Sequence, residues 1–193
     1  MLLLFSLPAG TPPEGRKVDE NWFVLIEKGD RDAFEKLYLA TDRAVYALLL
    51  SLLKNPQEAE DAMQDTYVRI REVAHCYRPQ GKPLAWIFTV AKNIARMRLR
   101  QGERAVPVDP AEWRDQAAAG ESDPDDRLTL QTALAVLGED ERQVVLLHAA
   151  GYKQREIATA LGLPLSTVLS KHRRALAKMR RALEGDGGKE ESR

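Results

Sequence analysis

An all-α fold of two small helical domains, joined by an acidic flexible linker and ending in a helix-turn-helix, is the class this 193-residue sequence predicts. Three observations carry it. Strand-like alternation of apolar and polar residues is absent. Several segments repeat apolar residues at helical spacing behind recognisable start signals. Between them, GERAVPVDPAEWRDQAAAGESD (residues 102–123) breaks the periodicity with Gly, Pro and acids.

The opening MLLLFSLPAG is apolar, lacks a basic residue before its apolar run, and is too short to span a bilayer. Residues 1–19 are therefore expected to be a disordered extension, and no segment is expected to insert in a membrane. The first domain spans 20–103. Within it, DAFEKLYLATDRAVYALLLSLLKN is long and apolar and should form the central core helix. The next helix has a strong start: Asn55 as N-cap, Pro56 at the first helical position and Glu58 completing a capping box. Ala59, Ala62, Met63, Val68, Ile70 and Val73 supply its apolar side. CYRPQGKP is a turn-rich break, and LAWIFTVAKNIARMRLRQ resumes as helix. Its apolar face is Trp86, Ile87, Val90, Ile94 and Met97. A separate polar arc holds Thr89, Lys92, Asn93, Arg96 and Arg100.

Residues 104–125 form the linker. The second domain, 126–183, follows a start at Asp123 and Pro124, and 184–193 is a disordered tail. In REIATALGLPLSTVLSKHRRA, a short helix carries Ile157, Ala158 and Leu161, and Gly162 ends it in the left-handed conformation. LPLS makes the turn with Ser166 as cap, and a second helix begins. Ala158 is small where the two helices must cross closely. On the second helix Val168, Ala175, Met179, Ala182 and Leu183 make the core face, with His172 packed among them. Thr167, Ser170, Arg173, Arg174 and Arg181 lie opposite.

Formal net charge is zero, but its distribution is not even. Residues 82–104 carry net +5, 105–128 net −5, and 129–183 net +5. Two basic blocks separated by an acidic one indicate a partner rather than a uniformly solvated surface. Six of the sixteen residues in STVLSKHRRALAKMRR (166–181) are Lys or Arg and none is acidic, which suits DNA: early polar and cationic groups reach base edges, later ones meet phosphates. The second basic helix lies beside Trp86, Phe88 and a turn containing Tyr77. Cations track phosphates there, and loop aromatics can hold unstacked bases. Trp86 itself reads as a core residue. One cysteine excludes an internal disulfide and a Cys-rich zinc site. His75 and Cys76 lack the spaced partners of a metal or triad site, so no enzyme, metal or cofactor is expected.

Three segments resemble the extracytoplasmic-function (ECF) group of bacterial sigma factors, within the sigma-70 family. AEDAMQDTYVRI is similar to that family's segment contacting the polymerase clamp, PLAWIFTVAKNIARMRLR to its promoter-melting segment, and LGEDERQVVLLHAAGYKQREIATALGLPLSTVLSKHRRALAKMR to its fourth region. The resemblance covers about residues 20–103 and 126–183. It implies a cytoplasmic transcription initiation factor whose partners are core RNA polymerase, promoter DNA and an anti-sigma protein. It assigns the upstream promoter element to Lys153, Thr167, Ser170, Lys171, Arg173 and Arg174. The downstream element falls to Thr89, Lys92, Asn93, Arg96 and Arg100, with the 75–82 loop receiving an extruded base. Polymerase docking falls to Glu58, Asp61, Gln64, Asp65 and Arg69, with Arg69 and Arg71 pairing across the acidic side. The sequence departs from the family pattern at Lys153, where Ser or Thr usually caps, and at Leu169, where a base usually follows Thr-Val. It also has Lys92-Asn93 in place of Arg-Asn. The alternatives are a stand-alone helix-turn-helix regulator that binds duplex DNA, and a helical adaptor that binds protein only.

Overall fold

The computed structural model describes residues 18–102 and 124–186, and every regular element among them is helical. The first unit holds α1 (Asn21–Glu27), α2 (Arg31–Leu53), α3 (Pro56–Val73), a 3-10 turn (Ala74–Cys76) and α4 (Pro83–Gly102). The second holds α5 (Pro124–Ala135), α6 (Glu139–Ala149), α7 (Gln154–Leu161) and α8 (Leu165–Asp186). The apolar extension, the acidic linker, the cap at Asp123 and most of the tail fall outside the described residues. α5 starts at Pro124 and α8 ends at Asp186, where the sequence expectation bounds the second domain at 126 and 183.

Each start and stop has a local cause. Asp30 caps α2 by accepting from the Ala33 amide at 3.0 Å. The chain leaves α2 through Lys54 at φ 60°, whose N–H still bonds Leu50 O. Asn55 then caps α3 from the Glu58 amide at 3.2 Å, with Pro56 behind it, as expected. The capping box is only half made, because the Glu58 carboxylate turns away to Arg98 at 3.2 Å. A cation across the groove outcompetes a backbone amide for it.

α2 is the hub. Leu37, Val45, Leu48 and Leu49 are fully enclosed, and Thr41 bonds both Leu37 O and the hydroxyl of buried Tyr67 on α3. Burying a side chain such as Leu48 contributes about 1.5–3 kcal/mol. The periodicity located most of the core but misplaced three residues. Val68 is 61% exposed, Met97 56% and Leu183 41%. Met97 and Leu183 lie at the edge of an apolar arc, whereas Val68 lies on the side of α3 opposite the buried Ala59, Ala62, Met63 and Ile70. Ser166 is not a cap either. α8 starts at Leu165, so Ser166 lies in its first turn, and the bend is made by Gly162 to Pro164.

The two units do not stand apart. Val144, Leu147, Ile157, Ala158 and Val168 belong to the same buried cluster as Leu37, Leu48 and Ile87. α6 lies along α2, and α7 touches α4. Arg142, 6% exposed, threads this seam. Its guanidinium donates to Leu137 O at 2.8 Å and Leu134 O at 3.2 Å, closing the end of α5, and to Ser51 O of α2 at 3.3 Å. Tyr152 adds a bond from its hydroxyl to Ala40 O at 3.2 Å. Replacing Arg142 by Ala strands those carbonyls, and the expected loss of unfolding free energy is about 3 kcal/mol, read by urea titration. Arg142→Lys should recover little of it, since a point charge cannot serve several carbonyls at once.

Candidate nucleic-acid interface

The helix-turn-helix forms as its sequence dictates. Gly162 sits at φ 68°, where a side chain would be strained, and the Leu163 amide bonds back to Ala158 O at 2.9 Å. Ala158 is buried at the crossing. On α8, Arg173 and Arg174 are exposed. Among the described residues, the Arg174 side chain makes one hydrogen bond, an intrahelical one to Ser170 O at 3.4 Å. Thr167 and Ser170 are half-buried, the Ser170 hydroxyl donating to Thr167 O. Lys171 is different: its ammonium lies 2.8 Å from Asp140 of α6, and only 18% of its side chain is exposed. Lys178 likewise pairs with Glu141 at 2.7 Å, holding that carboxyl below the usual carboxylate range. Lys153 precedes α7 and is exposed. Its backbone N–H bonds the Glu156 carboxylate at 2.7 Å, while its own side chain caps no amide of the first turn. His172 packs edge-on to His148, ring centres 4.5 Å apart, and burial followed by His148 lowers its pKa. It is a packing residue, as its place on the wheel suggested.

The second basic surface is on α4. Thr89, Asn93, Arg96 and Arg100 are exposed along one side. Lys92 is half-buried, at the wall of a cleft of about 190 Å³ between α4 and the second unit; Arg96, Leu99, Glu139, Asp140 and Leu163 also line it. Burial pushes the Lys92 ammonium pKa down, as does Arg96, while Glu139 and Asp140 oppose the shift. The acidic first turn of α6 thus faces one cation from each basic helix, Lys171 by direct contact and Lys92 across the cleft. Sequence reasoning missed this turn, since its partners lie 31 residues ahead and 47 behind.

The acidic side of α3 is present, with Glu58, Gln64 and Asp65 exposed and Asp61 half-exposed. Arg69 pairs with Glu72 at 2.8 Å. The cation that crosses to Asp65 (via its Nε, 3.1 Å) and Glu58 is Arg98 of α4, which the sequence did not single out. Exposed Val68 sits in the middle of this acidic face, one or two turns from Asp61 and Asp65.

The loop after α3 has a frame of its own. Tyr77 is buried, stacked on Phe23 of α1 at 4.1 Å and edge-on to Trp86 of α4 at 5.4 Å. Phe88 is buried as well. Neither Tyr77 nor Phe88 is therefore available as a surface for an unstacked base, contrary to what their place beside the basic helix suggested. Both are core residues that brace the loop from beneath. Glu20 accepts from the Tyr77 hydroxyl, from the Gln80 amide at 3.1 Å and from the Gly81 amide at 2.9 Å. Those bonds, the phenol's first, depress the Glu20 pKa.

Two cationic helical surfaces, one of them a helix-turn-helix, define a two-part nucleic-acid-binding protein. Comparison with known proteins narrows the class. Sigma-70 region 2 matches residues 37–105 and Sigma-70 region 4 matches residues 127–179. The ECF RNA polymerase sigma factor SigK of Mycobacterium ulcerans is 32% identical over 188 residues, covering 90% of this chain and 98% of its own. CarQ of Myxococcus xanthus, an RNA polymerase sigma factor, is 31% identical over 162 residues, 80% of this chain and 91% of its own. Among solved structures, CnrH in complex with the cytosolic domain of CnrY aligns with a TM-score of 0.60 at 24% identity, covering 88% of this chain and 99% of that one. The sigma factor RpoE, in complex with the anti-sigma factor NepR from Bartonella quintana, gives 0.55 at 24%, covering 78% and 96%. The chain belongs to the ECF group of the sigma-70 family of sigma factors. No described helix is long and apolar enough to cross a membrane.

Proposed function

We propose that this sigma factor docks on core RNA polymerase through the acidic face of α3 and reads promoter DNA at two places. α8, with Arg173, Arg174, Thr167 and Ser170, takes the upstream element, and Lys153 meets a phosphate beside it. The Thr89, Lys92, Asn93, Arg96 and Arg100 arc of α4 takes the downstream element as it opens, and the 75–82 loop receives an extruded base. The factor directs polymerase and catalyses no step itself. The observation that carries this reading is the pair of separate cationic helices, each with exposed arginines, on the two sides of an acidic linker.

Lys92 and Lys171 both face α6 carboxylates, and α4 touches α7, so the arrangement seen here is a closed one. Promoter elements one and a half to two duplex turns apart lie about 50–65 Å from each other. The linker reaches at most about 75 Å when fully stretched, so both elements are engaged only after the units separate and the linker extends. Opening breaks the Arg142 and Tyr152 bonds across the seam, which polymerase binding must offset. An anti-sigma protein is the proposed controlling partner; one structural neighbour of the same fold, RpoE, was solved in complex with the anti-sigma factor NepR, and another, CnrH, in complex with the cytosolic domain of CnrY.

Run-off transcription by core polymerase on a promoter set, with and without this chain, tests the reading: transcripts should depend on the chain. In a gel shift without polymerase, the isolated chain should bind duplex promoter DNA no tighter than about micromolar, the range of salt-sensitive non-specific contacts. Nanomolar binding by the free chain would instead support a stand-alone regulator.

A further inference from the structure

Glu20 occupies the N-cap position of α1, yet its carboxylate does not cap that helix. Asp19 bonds the Asn21 amide in its place, at 2.9 Å. One Glu20 oxygen, Oε1, gathers three donors from 57 to 61 residues away: the Tyr77 hydroxyl and the Gln80 and Gly81 amides. Two successive amides turned toward one carboxylate fix the backbone of the loop tip, and Gly81 at φ 69° permits the turn they need. Beneath them Phe23, Tyr77 and Trp86 form a three-ring cluster joining α1, the loop and the start of α4. The outward side of the loop is left to Arg78, Gln80 and Lys82, all exposed. Arg78 is itself tied down, donating to His75 O at 3.1 Å and Tyr77 O at 3.3 Å. A loop with so many inward bonds and an exposed, cationic rim has a fixed outer shape.

Resting on the downstream-element reading above, we infer that Glu20 is a positioning residue: it holds the 78–82 loop in the shape that accepts the promoter base, without touching DNA. Without it the two amides and the phenol lose their common acceptor, and the loop samples shapes that do not select a base. The core under the loop stays, because the ring cluster does not depend on the carboxylate. The consequence is a loss of base choice rather than of fold or of polymerase binding.

The experiment uses holoenzyme assembled from core polymerase and the full chain. The probe is a fork DNA, duplex upstream and single-stranded downstream, randomised over the single-stranded bases; bound molecules are recovered and sequenced. Wild-type holoenzyme should enrich one base at a position of the single strand. Glu20→Ala should lower that enrichment about tenfold, the size of a lost bond to a charged acceptor. Enrichment in the duplex part and affinity for core should stay unchanged. Glu20→Gln, which keeps an acceptor in place, should retain most of the selectivity. In the free chain, hydrogen exchange at the Gln80 and Gly81 amides should quicken about tenfold in Glu20→Ala. Tyr77→Phe keeps the ring stack, removes one donor and should lose a smaller share, which serves if Glu20→Ala fails to fold. Wild-type enrichment in the Ala variant, or unchanged exchange at both amides, overturns the proposal. A wild-type holoenzyme that selects no single-stranded base fails the downstream-element reading itself, and the positioning role falls with it even where exchange shows the loop pinned.

Discussion

Replacing Arg173 and Arg174 together with alanine is expected to reduce run-off transcription about a hundredfold while leaving assembly with core polymerase intact. The size follows from chemistry: a bidentate arginine–base contact or a desolvated arginine–phosphate contact is worth about 1–3 kcal/mol, and two neighbours on one recognition helix sum to several. The insulation from other effects follows from position. Both side chains are exposed, and neither is in an ion pair with a described residue, so removing them should leave the melting temperature within about a degree or two of wild type. Arginine-to-lysine exchange separates their roles. A phosphate contact survives a point charge, whereas bidentate base readout does not. Full activity of the double alanine variant on every promoter would remove α8 as the upstream reader. Leu169 follows Thr167 and Val168, where the sequence resemblance implies a basic residue, and is 49% exposed. With that cation absent, the pair at 173 and 174 is expected to carry a larger share of the upstream affinity.

What could be read in advance was local. Asn55, Pro56 and Gly162 act within four or five residues of themselves, and each does what its chemistry predicts. The two basic arcs were equally legible, because a helix of known phase fixes which side chains share a side. Contacts that join distant parts of the chain were not. Arg98 reaches Asp65 and Glu58 across the α3–α4 groove, Arg142 reaches Ser51 across the seam, and Glu20 reaches the 80–81 amides. Nothing in spacing or composition marks such partners, since they depend on how whole helices are docked. The exposed Met97 and Leu183 fail for a related reason: periodicity reports which side is apolar, not whether a neighbour exists to cover its edge; Val68 was assigned to the wrong side, since it lies half a turn of the wheel from Ala59. The half-made capping box at Glu58 shows a local signal overridden by a tertiary one. The closed seam was the largest omission. Sequence gave two units with a strap between them, and only the shared core around α2 shows that the units also bind each other.

Charge reversal on the α3 face should weaken binding of the chain to core polymerase by about ten- to a hundredfold, the range for a central charged contact in a protein interface. Asp61 is the cleaner site, because among the described residues its carboxylate makes only a long contact, 3.5 Å from the Gln57 side-chain amide, whereas Asp65 already pairs with Arg98. Asp61→Lys therefore reports on the partner, while Asp65→Lys also sets two cations against each other inside the chain. The triple variant Glu58→Lys, Asp65→Arg and Arg98→Glu restores both internal pairs with their sense inverted. If the face serves only to hold α4 on α3, the swap should bind core as wild type does. If it serves polymerase, the swap should stay weak although the chain is as stable as before. Val68→Ala adds an uncharged control at the centre of the same face, where a 61% exposed valine is free to fill a partner's apolar contact. Its effect should persist at high salt, while that of Asp61→Lys should shrink as ionic strength screens the charge. Titration of fluorescently labelled chain with core polymerase at two salt concentrations distinguishes these outcomes. An affinity untouched by Asp61→Lys and Val68→Ala at both would move the docking surface off α3.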